Sequence, residues 1–232
     1  MTMSIHRRSV ATRWSMTTNA SATGGRALAE LCARYRYPVY AYLRRSGETP
    51  AQAAATADRF LEDMQRRAAQ GPPSGREFRR FLLGSLEEYA TGLRDRSADS
   101  PAGETSPSAA LEARYVHDAP RADSPARAFE RGFAVDVLLG AMTRLRDEAR
   151  ATGHGAMYTA LAPYVARDPR PDEAQTLAET LRMRPLAIAV ALNRLRQRLR
   201  ELAGEELADT VSSTAELADE QAAMMAALDG AA

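Results

Sequence analysis

The sequence predicts an all-α protein built as two small helical domains joined by a Pro/Ser/Ala-rich linker, the second domain containing a helix-turn-helix. Three observations carry that prediction. Apolar residues recur at steps of three and four in two separate blocks. Between the blocks lie Pro101, Pro107, Pro120 and Pro125 among many Ser, Ala and Asp residues. Near the C-terminal end, a short apolar-faced helix is followed by a tight break and a second, arginine-bearing helix. The 232 residues, 45% of them hydrophobic, are enough to bury real cores.

Residues 1–25 form a leader segment, otherwise polar, in which Trp14 reads either as an anchor folded onto the first domain or as part of a segment that docks on a partner. The first domain is expected over 26–96. Its first helix places Leu28, Leu31, Cys32, Tyr35, Val39, Tyr42 and Leu43 on one face. Pro38 lacks a backbone donor and clashes with the preceding turn, so a kink or break is expected there. Gly47 then stops the helix, Thr49 caps the next, and Pro50 opens it. That second helix, about 50–70, would bury Ala53, Ala57, Phe60, Leu61 and Met64 before Gly71-Pro72-Pro73 ends it. A third, about 75–94 and capped by Ser74, carries Phe78, Phe81, Leu82, Leu86, Tyr89 and Leu93 at helical spacing.

Residues 97–125 read as the linker, with room for a short helix near 111–115. Periodicity returns at Phe129, Phe133, Val137, Leu138, Met142 and Leu145, which opens a second domain expected over 126–203. Leu177, Ala178 and Leu181 make a short apolar face, Arg182 to Arg184 a break, and Pro185 a first helical position. The helix that follows would bury some combination of Leu186, Val190, Leu195 and Leu199. The remainder, 204–232, reads as an acidic helical tail with Leu217, Met224, Met225 and Leu228.

Charge is uneven along a chain whose net charge is only +1. Residues 1–50 hold eight arginines against two acids, whereas 201–232 hold eight acids and no base. Any basic surface must therefore be local. All 31 basic residues are arginine, which excludes a Walker lysine and Schiff-base chemistry. One cysteine, Cys32, and three scattered histidines, His6, His117 and His154, leave no internal disulfide and no expected metal site. Cys32 lies on an apolar stripe and reads as an inert core thiol; His154, between two glycines, reads as a loop residue. With no Gly-rich phosphate loop and no nucleophile motif, neither a cofactor nor catalysis is expected. The N-terminal segment is arginine-bearing and then polar, with no apolar h-region, and no stretch approaches 18 apolar residues, so neither secretion nor membrane spanning is expected, and the cytoplasm is the default location.

A helix, a turn and an arginine-bearing second helix form a layout that can enter a DNA major groove. There, Arg pairs with guanine edges or phosphates and Asn or Gln with adenine. The candidate DNA contacts on the second helix are Asn193, Arg194, Arg196, Gln197 and Arg200, with Arg184 placed for a phosphate near the helix start. Residues 193, 196, 197 and 200 share a side, with Arg194 and Arg198 beside them. The plainer reading of these arginines is a solvated or acid-paired helix face.

The strings RWSM (13–16), ALAELCARYRYPVYAYLRRSGETP (27–50), REFRRFLLGSLEEY (76–89) and MRPLAIAVALNRLRQRLRELAGEELADTV (183–211) resemble an extracytoplasmic-function-like bacterial RNA polymerase sigma factor. The branch concerned opens with an arginine-tryptophan-serine segment and reads YPLYAYxRRRG before its second helix. LEARY (111–115) and ARAFERGFAVDVLLGAMTRLRDE (126–148) resemble the same branch, so the likeness covers nearly the whole chain.

The resemblance implies a protein that binds RNA polymerase core and promoter DNA to direct transcription initiation. Its first domain would contact the polymerase clamp and the minus 10 element, and its second the minus 35 element. Arg76, Arg79 and Arg80 are then candidates for promoter contact, and an anti-sigma or other regulatory protein is an expected further partner. Phe78, Phe81 and Tyr89 read as core residues before stacking platforms for a flipped base.

Two departures qualify it. Where the branch has the acidic run PEDAEDLTQEFF, this chain has Ala51, Gln52, Ala54 and Ala55 in place of acids and Arg59 in place of a fifth. This leaves Asp58, Glu62 and Asp63 as the candidate partner-binding acids. The branch's turn GMSEGAV is replaced by Arg182, Met183, Arg184, Pro185, Leu186, Ala187 and Ile188, so a glycine C-cap becomes Arg182. A lysine and a histidine of the reading helix become Ala189 and Asn193. The alternative reading is a degenerate relative that serves as a protein-interaction or regulatory module without promoter-specific initiation.

Overall fold

A computed structural model of the chain describes residues 32–70, 78–96, 109–118, 122–208, 217–219, 221, 222 and 224. The leader with Trp14, Arg76, Ser74 and the prolines at 72, 73, 101, 107 and 120 lie outside the described residues. Every regular element among the described residues is helical: α1 (Arg36–Arg45), α2 (Pro50–Gln70), α3 (Phe78–Arg96), α4 (Ala109–Asp118), α5 (Pro125–Ala151), α6 (Gly155–Leu161) with a 3-10 turn at Ala162–Tyr164, α7 (Pro171–Leu181) and α8 (Pro185–Ala208). None of them is long and apolar enough to cross a membrane.

The chain divides into two compact units, residues 1–136 with 207–232, and residues 137–206. The division falls inside α5, so Phe129 and Phe133 belong to the first unit, although periodicity alone groups them with the helices that follow.

In the first unit, the break near Pro38 comes at Tyr35, and the proline itself sits in the first turn of α1. There a missing N–H costs nothing, because the first four amides of a helix have no carbonyl partner within it. Gly47 follows α1 in the left-handed region, at φ 103°. Thr49 and Gln52 then cap α2 reciprocally: the Thr49 N–H donates to Gln52 Oε1 at 3.0 Å, and the Gln52 N–H donates to Thr49 Oγ1 at 3.3 Å. Gln52, which stands where the resembled branch has an acid, is thus a capping residue here.

The face of α2 made by Ala53, Ala54, Ala57, Phe60, Leu61 and Met64 is buried and packs with α1. Leu82, Leu86 and Ala90 of α3 are buried as well, and Tyr89 meets Phe60 at 5.4 Å between ring centroids. Tyr35 is fully buried between Phe129 and Phe133, stacked on the latter at 5.2 Å. Gly132 allows α5 its close passage over α1, because a Cβ there would lie 3.2 Å from Pro38 Cα and from the Tyr37 ring. Cys32 is buried, and burial pushes its thiol up to about 11, as suits an unreactive core group.

The segment read as a linker holds α4, and α4 is tied to α1. Arg44 grips Glu112 with two hydrogen bonds, Nε to Oε2 at 2.9 Å and Nη2 to Oε1 at 2.8 Å, and Tyr40 donates to the same carboxylate. The Arg44 guanidinium holds the Glu112 carboxyl below its ordinary range. Tyr37 donates to Asp118 Oδ2 at 2.7 Å, while the guanidinium of Arg114 lies 3.4 Å from the centre of the Tyr37 ring.

Candidate nucleic-acid interface

The second unit is assembled around Leu161, Leu177, Ile188 and Leu192, with Met157, Leu181 and Leu195 packed against them. On α8 the buried stripe is Ile188, Leu192, Leu199 and Leu202. Of the set from which some combination was expected inside, Leu199 is buried and Leu195 half-buried, whereas Leu186 is 77% exposed and Val190 44%. A step of two residues turns the helix by about 200°, so 186 and 190 are carried to the far side once 188 and 192 face the core.

Proline opens α7 at Pro171, and Asp172 and Glu173 follow in the first turn, where the helix dipole favours negative charge. Glu173 also accepts from the Arg170 N–H at 2.7 Å and from Arg167 through both oxygens at 2.7 Å. The Arg167 side chain, then the Arg170 amide, hold this carboxyl down to about 2. The helix ends in a Schellman arrangement, the Met183 N–H donating to Ala178 O at 3.0 Å and the Arg182 N–H to Glu179 O at 3.3 Å.

The residue that must turn left-handed is Arg182, at φ 52° and ψ 42°, among the described residues the one non-glycine with positive φ. Its Cβ crowds the carbonyl that follows. Arg182→Gly should therefore stabilise the second unit by about 1 kcal/mol, part of the relief being offset by the greater freedom of glycine in the unfolded chain. Chemical denaturation measures this as a higher midpoint at unchanged m-value.

Three residues separate α7 from α8, and the candidate residues in and beyond that turn divide into two sets. The first is committed to the protein. Arg196, expected on the DNA side, instead donates to Val165 O at 3.0 Å, Tyr164 O at 2.9 Å, Arg167 O at 2.8 Å and Asp168 Oδ1 at 2.8 Å. It satisfies carbonyls at the end of the 3-10 turn and just after it. Arg198 holds Glu148 through Nε at 2.9 Å and Nη2 at 2.8 Å and reaches Glu201 at 3.0 Å. Nothing in the spacing of the sequence flags Glu148 or the carbonyls of Tyr164, Val165 and Arg167 as partners, because they come close only through folding.

The second set is open. Arg184 and Arg194 are exposed and hold no ion pair among the described residues, and Asn193 is exposed and makes no side-chain hydrogen bond among them. Gln197 is exposed with one 3.3 Å bond to Glu201, and Arg200 is exposed with a weak 3.4 Å contact to Arg196 O. Asn193, Gln197 and Arg200 follow one another at steps of four and three, so they share a stripe.

The candidates of the first unit are placed differently. Arg79 is 5% exposed, paired with Glu130 and 5.7 Å from the centre of the Phe133 ring. The expected promoter contact is thus turned into the core, where burial of a charge requires a partner. Arg80 is exposed. Asp58 is bound bidentately by Arg36 at 2.7 and 3.0 Å, Asp63 pairs with Arg67 at 2.7 Å, and Glu62 is exposed. Among the described residues, no group of three or more His, Cys, Asp or Glu is arranged to hold a metal ion.

The second unit also carries a groove of about 780 Å³. Leu145 of α5, Met157, Tyr158 and Leu161 of α6, and Leu186 and Val190 of α8 form much of its wall, and Arg184, Arg194 and Arg198 border it. Comparison of the chain with protein-family models, with curated proteins and with solved structures finds no match.

Proposed function

We propose that this chain is a sigma-factor-like protein that binds RNA polymerase core and promoter DNA to direct transcription initiation. α7 and α8 act as its helix-turn-helix. The observation that supports this reading best is the exposed stripe Asn193, Gln197 and Arg200 on the second helix, flanked by the unpaired Arg184 and Arg194. These residue types match base edges and phosphates, and the stripe follows a turn of three residues. Polymerase binding rests on the resemblance of 27–50 and 76–89, with Glu62 as the exposed acid of α2.

The test is a gel shift of promoter DNA with and without core polymerase across a salt series. The double variant Arg194→Ala with Arg200→Ala should bind DNA more weakly, and its salt slope should fall by roughly two units, about 0.9 for each phosphate that is no longer neutralised. A slope unchanged by the double variant, or failure of the chain to coprecipitate with core polymerase, rejects the reading.

A second reading, a relative that serves as a protein-interaction module without promoter-specific initiation, is favoured by one observation. Arg196 and Arg198 are spent on internal contacts, while Leu186 and Val190 stand exposed beside the stripe. It predicts coprecipitation with a protein partner and no salt-dependent DNA shift.

A further inference from the structure

We propose that α4 is a detachable strap on the first unit, closed by the Glu112 carboxylate: it lifts as one piece from α1 and α5 while α1, α2 and α3 stay folded. In its closed state it withholds Tyr37, Tyr40 and Arg44 of α1 from anything outside the chain. The proposal concerns the chain alone and does not depend on the promoter reading above.

The first support is the way α4 is attached. No residue of α4 is buried, and Val116 is 64% exposed. The fully buried large side chains of the unit, Tyr35, Tyr40, Phe60, Leu82, Leu86 and Phe129, all belong to other segments. A helix in a protein is held chiefly by the burial of an apolar face, and an isolated one shorter than about 12–15 residues is marginal in water. With 10 residues and no buried face, α4 depends on docking, and its docking depends on polar bonds.

The second support is where those bonds fall. Glu112 meets three donors of α1: Arg44 through both carboxylate oxygens, at 2.9 and 2.8 Å, and the Tyr40 hydroxyl. Arg114 reaches α5, donating to Asp136 Oδ1 at 2.5 Å and to Gly132 O at 3.3 Å. At the end of α4, Asp118 accepts from the Tyr37 hydroxyl at 2.7 Å. Each of these bonds replaces one to water, so its net worth is a fraction of its strength in isolation. A segment held in this way opens at lower cost than one held by a core. Because so short a helix forms cooperatively, loss of one anchor loosens the rest.

The third support is what the strap covers. Tyr40 is fully buried, with its hydroxyl on Glu112 and its ring edge-on to Tyr115 of α4, at 6.4 Å between centroids. The Arg44 guanidinium lies 5.0 Å from the centre of the same Tyr115 ring. Tyr37 is 4% exposed: Gly132 of α5 passes close to its ring, and the Arg114 guanidinium lies 3.4 Å from the ring centre. Burial, and then the bonds to Asp118 and Glu112, push the hydroxyls of Tyr37 and Tyr40 above their ordinary range. Lifting α4 returns both hydroxyls and Arg44 to water.

The test uses the full chain and reads each end of the strap from the other. Glu112→Ala breaks the clasp at Tyr40, and the readout is nitration of Tyr37 by tetranitromethane, located by peptide mass. Asp118→Ala breaks the bond to Tyr37, and the readout is nitration of Tyr40. Tetranitromethane attacks tyrosinate, so a covered and protonated hydroxyl is spared. Neither carboxylate belongs to the core, and each variant should raise nitration of the remote tyrosine by about tenfold or more.

Hydrogen exchange supplies the second measurement. In the parent chain, residues 109–118 should exchange about tenfold faster than α2, and in both variants they should quicken by about tenfold again while α2 and α3 stay within about twofold. A variant that uncovers just the tyrosine it was bonded to overturns the proposal, because the bonds then act singly. So does loosening of α2 or α3 in step with α4, which makes the helix part of the core. Exchange over 109–118 as slow as in α2 in the parent chain overturns it as well.

Discussion

Arg79→Ala should destabilise the first unit by about 3 kcal/mol, toward the lower end of the range for breaking a buried ion pair. The Arg79 side chain is 5% exposed and Glu130 keeps a quarter of its side chain in water, so the orphaned carboxylate is partly rescued by solvent. The loss also removes the cation from beside the Phe133 ring, in the same cluster as Tyr35. Urea unfolding followed by tyrosine fluorescence reads the change as a lower midpoint. The companion variant, Arg79→Met with Glu130→Leu, should recover most of the stability, because replacing both partners by apolar groups removes the orphan. An Arg79→Ala chain as stable as the parent, with a reduced DNA salt slope, would return Arg79 to the promoter.

Arg196→Ala should destabilise the second unit by about 2–3 kcal/mol. One side chain there satisfies three backbone carbonyls, those of Tyr164, Val165 and Arg167, and also binds Asp168. Hydrogen bonds from a charged donor are worth about 1.5–3 kcal/mol apiece when buried. A quarter of the Arg196 side chain is exposed and Asp168 is mostly in water, so the sum is discounted well below additivity. Arg196→Lys should not rescue, because an ammonium cannot fork between several acceptors at fixed angles. Hydrogen exchange should quicken first in the segment 162–170, ahead of α5. If instead the variant is as stable as the parent and loses salt-dependent DNA binding, Arg196 belongs to the interface.

These two arginines also mark the limit of what the sequence could tell. The α2 stripe of Ala53, Ala57, Phe60, Leu61 and Met64 was legible, because helix periodicity and burial are both local. So were the Thr49 cap and the opening prolines of α2 and α8. Arg79 was not legible: it was expected to contact the promoter beside Arg76 and Arg80, and its partner Glu130 lies in another helix. Arg196 was no more legible: its acceptors are backbone carbonyls, which carry no signature in side-chain identity. Which of Leu186, Val190, Leu195 and Leu199 go inside was left open, because apolar residues occupy 186, 188, 190 and 192 alike. Periodicity leaves the phase of such a run undetermined until a neighbouring helix selects Ile188 and Leu192. Of the residues expected to meet DNA, Arg184, Asn193, Arg194, Gln197 and Arg200 are exposed, the first in the turn and the others on α8. The groove beside them had no sequence signal.

The burial of Cys32 gives the chain an internal clock for its own opening. A thiol pushed up to about 11 is thiolate in only about one molecule in ten thousand at neutral pH, and this one is 1% exposed as well. Alkylation therefore has to wait for the first unit to open and return the sulfur to water, where its ordinary acidity is restored. The labelling rate is then the rate for a free cysteine multiplied by the fraction of time spent open. As the chain's single cysteine, Cys32 makes that fraction readable by intact mass in unmodified protein, without a reporter group and under native conditions.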